Sequence, residues 1–218
     1  QKVTKTILFS GLKELKKIWL AIKENKILKK YISAFFVYSM AVQTIMIAAT
    51  YFAIEELDWG SQDSTTGLIV SILLIQLIAI LGANLTAKLS ETIGNIKALI
   101  IVISLWIVIC AFAYFVVTPT QFYIVAAAVG IVMGGIQALS RSTYSKLIPD
   151  DAVDTASYFS FYDVAEKIGI VIGMFMYGFV AELTGSMRYS ILFLITFFVI
   201  GLIILSTLPK QTLVPEPK

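Results

Sequence analysis

The sequence contains no histidine and a single cysteine, Cys110. The first absence removes imidazole acid–base chemistry and any histidine-based proton relay. Together the two exclude a disulfide framework within the chain and a Cys/His metal site. Cys110 lies in the apolar run 107–112 and reads as a small core or lipid-facing residue. Charge is scarce as well. Only 14% of the 218 residues are charged, while 58% are hydrophobic. A soluble domain of this length keeps nearer a quarter of its residues charged. These residues would not cover a water-facing surface, so lipid is the expected solvent. No P-loop pattern is present, so ATP-driven transport by this chain is not expected. No cofactor, metal or nucleic-acid partner is expected either. Residue 1 is Gln rather than Met. The Lys-rich stretch 1–30 lacks the compact apolar core and cleavage site of a signal peptide. The expectation is a piece of a longer polypeptide.

What is present is apolar sequence in long runs. A helical span needs about 20 mostly apolar residues to cross about 30 Å of hydrocarbon. Six segments qualify: 31–54, 65–86, 98–117, 121–142, 158–183 and 189–208. Helices are expected because every backbone polar group in lipid must be satisfied internally. A β-barrel strand would alternate polar and apolar residues, and the run 68–75 does not. Residues 7–28 differ: Leu8, Leu12, Leu15, Trp19 and Ile22 recur at three- or four-residue spacing among lysines. This spacing predicts a basic amphipathic helix, either on the inner membrane surface or packed on the protein. The expected division is therefore a linker helix over 1–30, a six-helix membrane domain over 31–208 and a tail over 209–218. Placing 1–30 in the cytoplasm puts sixteen of the 17 Lys and Arg residues on that side, with Arg188 alone outside. Both termini are then cytoplasmic. A bacterial inner membrane fits that charge pattern.

Polar residues at membrane depth are costly and usually face a bundle interior or a cavity. The third and sixth spans carry few. The other four carry many, including Gln43 and Thr44 in the first, Gln76 in the second, Gln137 and Arg141 in the fourth, and Asp163, Glu166 and Lys167 in the fifth. Four helices are thus expected to line something and two to support them, repeating every three helices. This is the pattern of a 3+3 inverted repeat in half of a transporter. Residues 87–94, closing the second span, are echoed by 181–185, closing the fifth. Gly130 and Gly134, and likewise Gly169 and Gly173, are four residues apart and predict close helix approach.

Three patterns then converge. The turn Ala87-Lys-Leu-Ser-Glu-Thr-Ile-Gly-Asn-Ile-Lys97 resembles the loop signature of the major facilitator superfamily, with Glu91 in place of the usual Asp. The run Gly134-Gly-Ile-Gln-Ala-Leu-Ser-Arg-Ser142 and the aromatic stretch Tyr158-Phe-Ser-Phe-Tyr162 before Gly169 resemble the branch related to the vacuolar autophagy effluxer. Two positions depart from that branch: Glu166 replaces a common Gly, and Met174 a usual Pro. The resemblance covers nearly the whole chain. It implies the C-terminal half of a twelve-helix transporter, partnered by an N-terminal six-helix half of the same polypeptide and by membrane lipid. It implies a small polar solute, with amino acids as a candidate class.

Within that frame Glu91, Arg141, Asp163, Glu166 and Lys167 are candidates for a cytoplasmic gate of ion pairs. A solvated helix start with one local pair and a proton-coupling carboxylate stay open as alternatives for the 163–167 cluster. Gln43, Thr44, Gln76 and Gln137 are candidates for a solute cavity, or for hydrogen bonds between helices. The competing function is a six-helix scaffold or assembly subunit that moves nothing. An intramembrane enzyme is not expected, because Asp163 has no second intramembrane Asp and no His to work with.

Overall fold

A computed structural model describes residues 5–60, 63–149, 152 and 154–209. Expectations for residues 1–4 and 210–218, and for the side chains of Leu8 and Leu12, lie outside the described residues. The described chain forms seven helices and no strand: α1 Lys5–Glu24, α2 Lys26–Glu56, α3 Ser64–Ile93, α4 Asn95–Ala113, α5 Pro119–Leu147, α6 Thr155–Thr184 and α7 Met187–Ser206. The six helices α2–α7 are long and apolar enough to cross a membrane.

Local chemistry sets the helix ends. Asn25 separates α1 from α2, its side-chain oxygen accepting from the amides of Ile27 and Leu28 at 3.1 Å. The membrane helix therefore begins at Lys26, earlier than hydropathy implied. Gly94, at φ 85°, turns the chain between α3 and α4, a conformation that favours glycine. Thr118 and Gln121 form a reciprocal capping box ahead of α5, with Pro119 at its first turn. The third expected span ran to Val117, but α4 ends at Ala113. The apolar stretch continues as a turn, because Gln121 takes the amides of Val117 and Thr118 and the Val117 carbonyl accepts from Asp58. Asp154 caps α6, and hydrogen bonds from Ser157 hold its carboxyl below the usual carboxylate range.

The main neighbours are α3 with α5, α2 with α7 and α6, and α4 with α7 and α5. Exchanging α2, α3 and α4 for α5, α6 and α7 maps this set onto itself. The α3–α5 pair becomes α6–α2, and α2–α7 becomes α5–α4. The expected glycines sit at the first two contacts. A Cβ on Gly134 would lie 2.2 Å from the Ala79 carbonyl oxygen, and one on Gly130 would lie 2.9 Å from that of Ile75. On α6, a Cβ on Gly173 would meet the Thr44 hydroxyl at 2.1 Å. Gly169 makes only ordinary contact with Met40.

The supporting helices α4 and α7 pack on each other, with Trp106 stacked on Phe198 at 5.7 Å. By contrast α3 and α6 are the least enclosed. They expose Leu73, Leu77, Leu81 and Leu85, and Ile168, Val171, Phe175 and Phe179. The amphipathic α1 packs on the protein: Ile18 and Ile22 are buried where it meets α2 and α6, and Trp19 stacks on Phe161 at 5.8 Å. Leu20 and the lysines at 13, 16, 17 and 23 face outward.

Gly134→Ala is expected to force α3 and α5 apart and cost about 1–3 kcal/mol. Gly178→Ala, which meets nothing within 4 Å, is the control. Thermal unfolding in detergent should show a clear loss for the first and almost none for the second.

Candidate functional site

The lysine-rich end of the bundle, where α5 ends and α2 and α6 begin, is closed by tyrosines. Tyr31 donates to the Ser140 carbonyl at 2.6 Å, and Tyr38 shares a 2.7 Å hydrogen bond with the Ser140 hydroxyl. Tyr144 donates to the Tyr158 carbonyl at 2.9 Å. Tyr162 stacks on Phe35 at 3.9 Å. These bonds satisfy phenols that would be costly to bury unpaired, and they tie α2, α5 and α6 together. Tyr51, by contrast, is exposed.

Arg141 sits over this cluster. Its guanidinium lies 5.1 Å from the Phe159 ring centre, 5.9 Å from that of Tyr162, and 3.2 Å from the Asp163 carboxylate. Glu166, one turn further along α6, accepts from the Gln43 amide at 2.8 Å and pairs with Lys167 at 3.5 Å. The structure thus brings together four of the five expected gate residues. Glu91 stands apart: it is exposed and takes part in none of the ion pairs among the described residues. The turn that carries it is anchored by buried Asn95 instead, which donates to Thr143 at 3.1 Å and accepts from Lys146 at 3.3 Å.

Two cavities lie between the helices. One, of about 470 Å³, lies between α2, α5 and α6 and is lined by Tyr38, Gln43, Gln137, Arg141, Glu166 and Lys167 among others. The second, of about 390 Å³, lies further toward the Arg188 end and is mostly apolar, with Gln76, Gln137 and Tyr177 in its wall. Gln137 borders both. Three of the four expected cavity residues therefore line a cavity. Thr44 lines neither. It is fully buried against Gly173, because the missing Cβ there lets α6 close over the hydroxyl. Thr44 is a packing residue between α2 and α6 in this structure.

The opposite end holds a cluster that hydropathy and motif did not single out. Arg188 donates to the Glu56 carboxylate at 2.9 Å, to the Glu56 carbonyl at 2.9 Å and to the Tyr114 carbonyl at 2.7 Å. The other oxygen of Glu56 accepts from the Ser186 hydroxyl and the Met187 amide, both at 2.7 Å. One ion pair thereby clamps the ends of α2, α4 and α7. The only sequence signal was that Arg188 is the lone basic residue on its side.

The arginine ion pairs at the two ends differ in kind. Side chains of the Arg188–Glu56 pair are 17% and 16% exposed, against 55% and 49% for Arg141–Asp163. Arg188→Ala, which strands an enclosed carboxylate, is expected to cost on the order of 3 kcal/mol. Asp163→Asn should cost less than about 1 kcal/mol, as exposed pairs do. Denaturant titration of both variants checks the contrast.

Comparison with known proteins gives a consistent set of relatives. The family described as "Vacuole effluxer Atg22 like" matches residues 1–212. The uncharacterized MFS-type transporter YxiO of Bacillus subtilis is 31% identical over 206 residues, which is 94% of this chain and 46% of YxiO. Autophagy-related protein 22 of Eremothecium gossypii is 30% identical over 193 residues, 83% of this chain and 37% of that protein. Among solved structures, the E. coli fucose:proton symporter FucP superposes with a TM-score of 0.70 at 17% identity, over 88% of this chain and 45% of FucP. That likeness shows the fold. The chain spans less than half the length of each of these relatives.

Proposed function

The chain belongs to the vacuole effluxer Atg22-like family, and from that premise we propose that it is the C-terminal half of a secondary transporter. It moves a small polar solute by alternating access, together with an N-terminal six-helix half of the same polypeptide. The observation that carries the reading is the cavity between α2, α5 and α6, with Gln43, Gln137, Arg141, Glu166 and Lys167 in its wall. Hydrogen-bonding and charged groups of both signs meet there within membrane helices. That mixture suits a zwitterion, so amino acids are the solutes to test first. The self-exchanging helix contacts support the 3+3 inverted repeat expected of such a half. The broad apolar faces of α3 and α6 suit contact with lipid and with the other half.

Arg141 and Asp163 form the gate in this proposal. Their pair is exposed, so opening it costs little, whereas the enclosed Glu56–Arg188 pair at the far end acts as a fixed clamp. Glu166 and Lys167 extend the gate along α6. Glu91, unpaired in this state, is left for a group that approaches in another state or from the other half. The sixteen basic residues on one side argue that this end faces the cytoplasm. The Bacillus relative fits a bacterial plasma membrane.

In proteoliposomes the chain alone is expected to give no amino-acid flux, and the two halves together are expected to give flux. Arg141→Ala in the intact protein should impair transport while membrane insertion stays normal. Specific flux from the isolated chain would overturn the half-transporter reading, and wild-type flux in the Arg141→Ala variant would remove Arg141 from the gate.

A further inference from the structure

The apolar stripe of α1 is already taken by the protein. Ile18 and Ile22 are buried against the bundle, and Trp19 stacks on Phe161 of α6 at 5.8 Å. An amphipathic helix on a bilayer ordinarily lays its apolar face into the acyl boundary. Here that face packs on α2 and α6 instead, and the packing fixes how α1 is rotated about its axis. The face turned outward is the basic one.

Residues 11–30 hold seven lysines against two glutamates, and all nine are exposed. Lys13, Lys16, Lys17 and Leu20 stand at i, i+3, i+4 and i+7, so they share one side of the helix. None of these three lysines forms an ion pair among the described residues. Leu20, outside the buried stripe, is 53% exposed beside them. Only Asn25 separates α1 from α2, which is long and apolar enough to cross a membrane and begins at Lys26. The outward face of α1 therefore lies where a span enters the bilayer, and Lys26, Lys29 and Lys30 continue its charge. A polybasic segment in that position attracts anionic headgroups. Leucine among the lysines favours lipid over an acidic soluble partner, because at a bilayer surface its side chain reaches the acyl boundary.

We propose that the outward face of α1 is a binding surface for anionic phospholipid headgroups, with Lys13, Lys16 and Lys17 on the phosphates and Leu20 dipping between them. The helix holds the protein with its apolar side and the lipid with its charged side, the reverse of a free interfacial helix. The proposal is independent of the transported solute and of the gate.

The test places a fluorophore on Leu20→Cys in the intact protein, with its other reactive cysteines replaced by serine. The protein is reconstituted in equimolar phosphatidylcholine and phosphatidylglycerol, and one lipid or the other carries brominated acyl chains that quench the fluorophore on contact. Brominated phosphatidylglycerol is expected to quench with a relative association constant at least about fivefold that of brominated phosphatidylcholine, and high salt should reduce the preference. Replacing Lys13, Lys16 and Lys17 by alanine should abolish it, whereas replacing them by arginine should keep it. Alanine at Lys88 and Lys97, exposed lysines outside α1, should leave it unchanged. Melting temperatures confirm that each variant is folded. Equal quenching by the two lipids would overturn the proposal, as would a preference that survives the triple alanine variant. Absence of quenching by either lipid would also overturn it and would leave the face to a soluble partner.

Discussion

Backbone contact between helices that lack side chains at the crossing holds this bundle together. In lipid, apolar side chains gain little by leaving their surroundings for one another, so helix association leans on close packing. Gly82, Gly130 and Gly134 let α3 and α5 approach until backbone meets backbone, and Gly173 lets α6 close over Thr44 and Met40 of α2. Once these pairs are set, α4 and α7 close the structure from outside through Trp106 and Phe198. The cavities are what remains between helices pinned at those crossings.

The same crossings place the charges. With α6 held on α2, Glu166 comes within hydrogen-bonding reach of Gln43, and Asp163 comes under Arg141 at the end of α5. The tyrosines at 31, 38 and 144 then join α2, α5 and α6 through Ser140 and Tyr158. A firm hydrogen-bonded floor therefore lies beside an ion pair that is weak because water reaches it. At the other end the balance is reversed. The Glu56–Arg188 pair is enclosed, and its hydrogen-bond partners are two carbonyls, a hydroxyl and a backbone amide at helix ends. The ion pair at one end is enclosed and that at the other is open to water.

The α1 helix adds a third constraint at the lysine-rich end. Its apolar residues Ile18 and Ile22 are taken up by the protein, and Trp19 stacks on Phe161, two residues before Asp163. A change in how α1 sits would reach the start of α6 directly. Its lysines are left outward, where anionic headgroups would attract them.

The sequence by itself determined that the chain is helical, that it crosses a bilayer six times and which stretches do so. These are local properties, because hydropathy is summed along one segment and backbone satisfaction in lipid leaves one choice. It also marked the close-packing glycines and the run ending in Ser140 and Arg141, because each is short and contiguous. Only the tertiary structure decided which polar residues meet. Gln43 and Thr44 are adjacent, yet one reaches Glu166 beside a cavity and the other is sealed under Gly173. Glu91 and Arg141 share an end of the bundle and do not pair. Glu56, Arg188 and Tyr114 are far apart in sequence and converge. Each outcome depends on how a helix is rotated about its own axis. In lipid, hydropathy constrains that rotation weakly, because the protein interior and the solvent are both apolar. Backbone-to-backbone contact at the glycines constrains it instead.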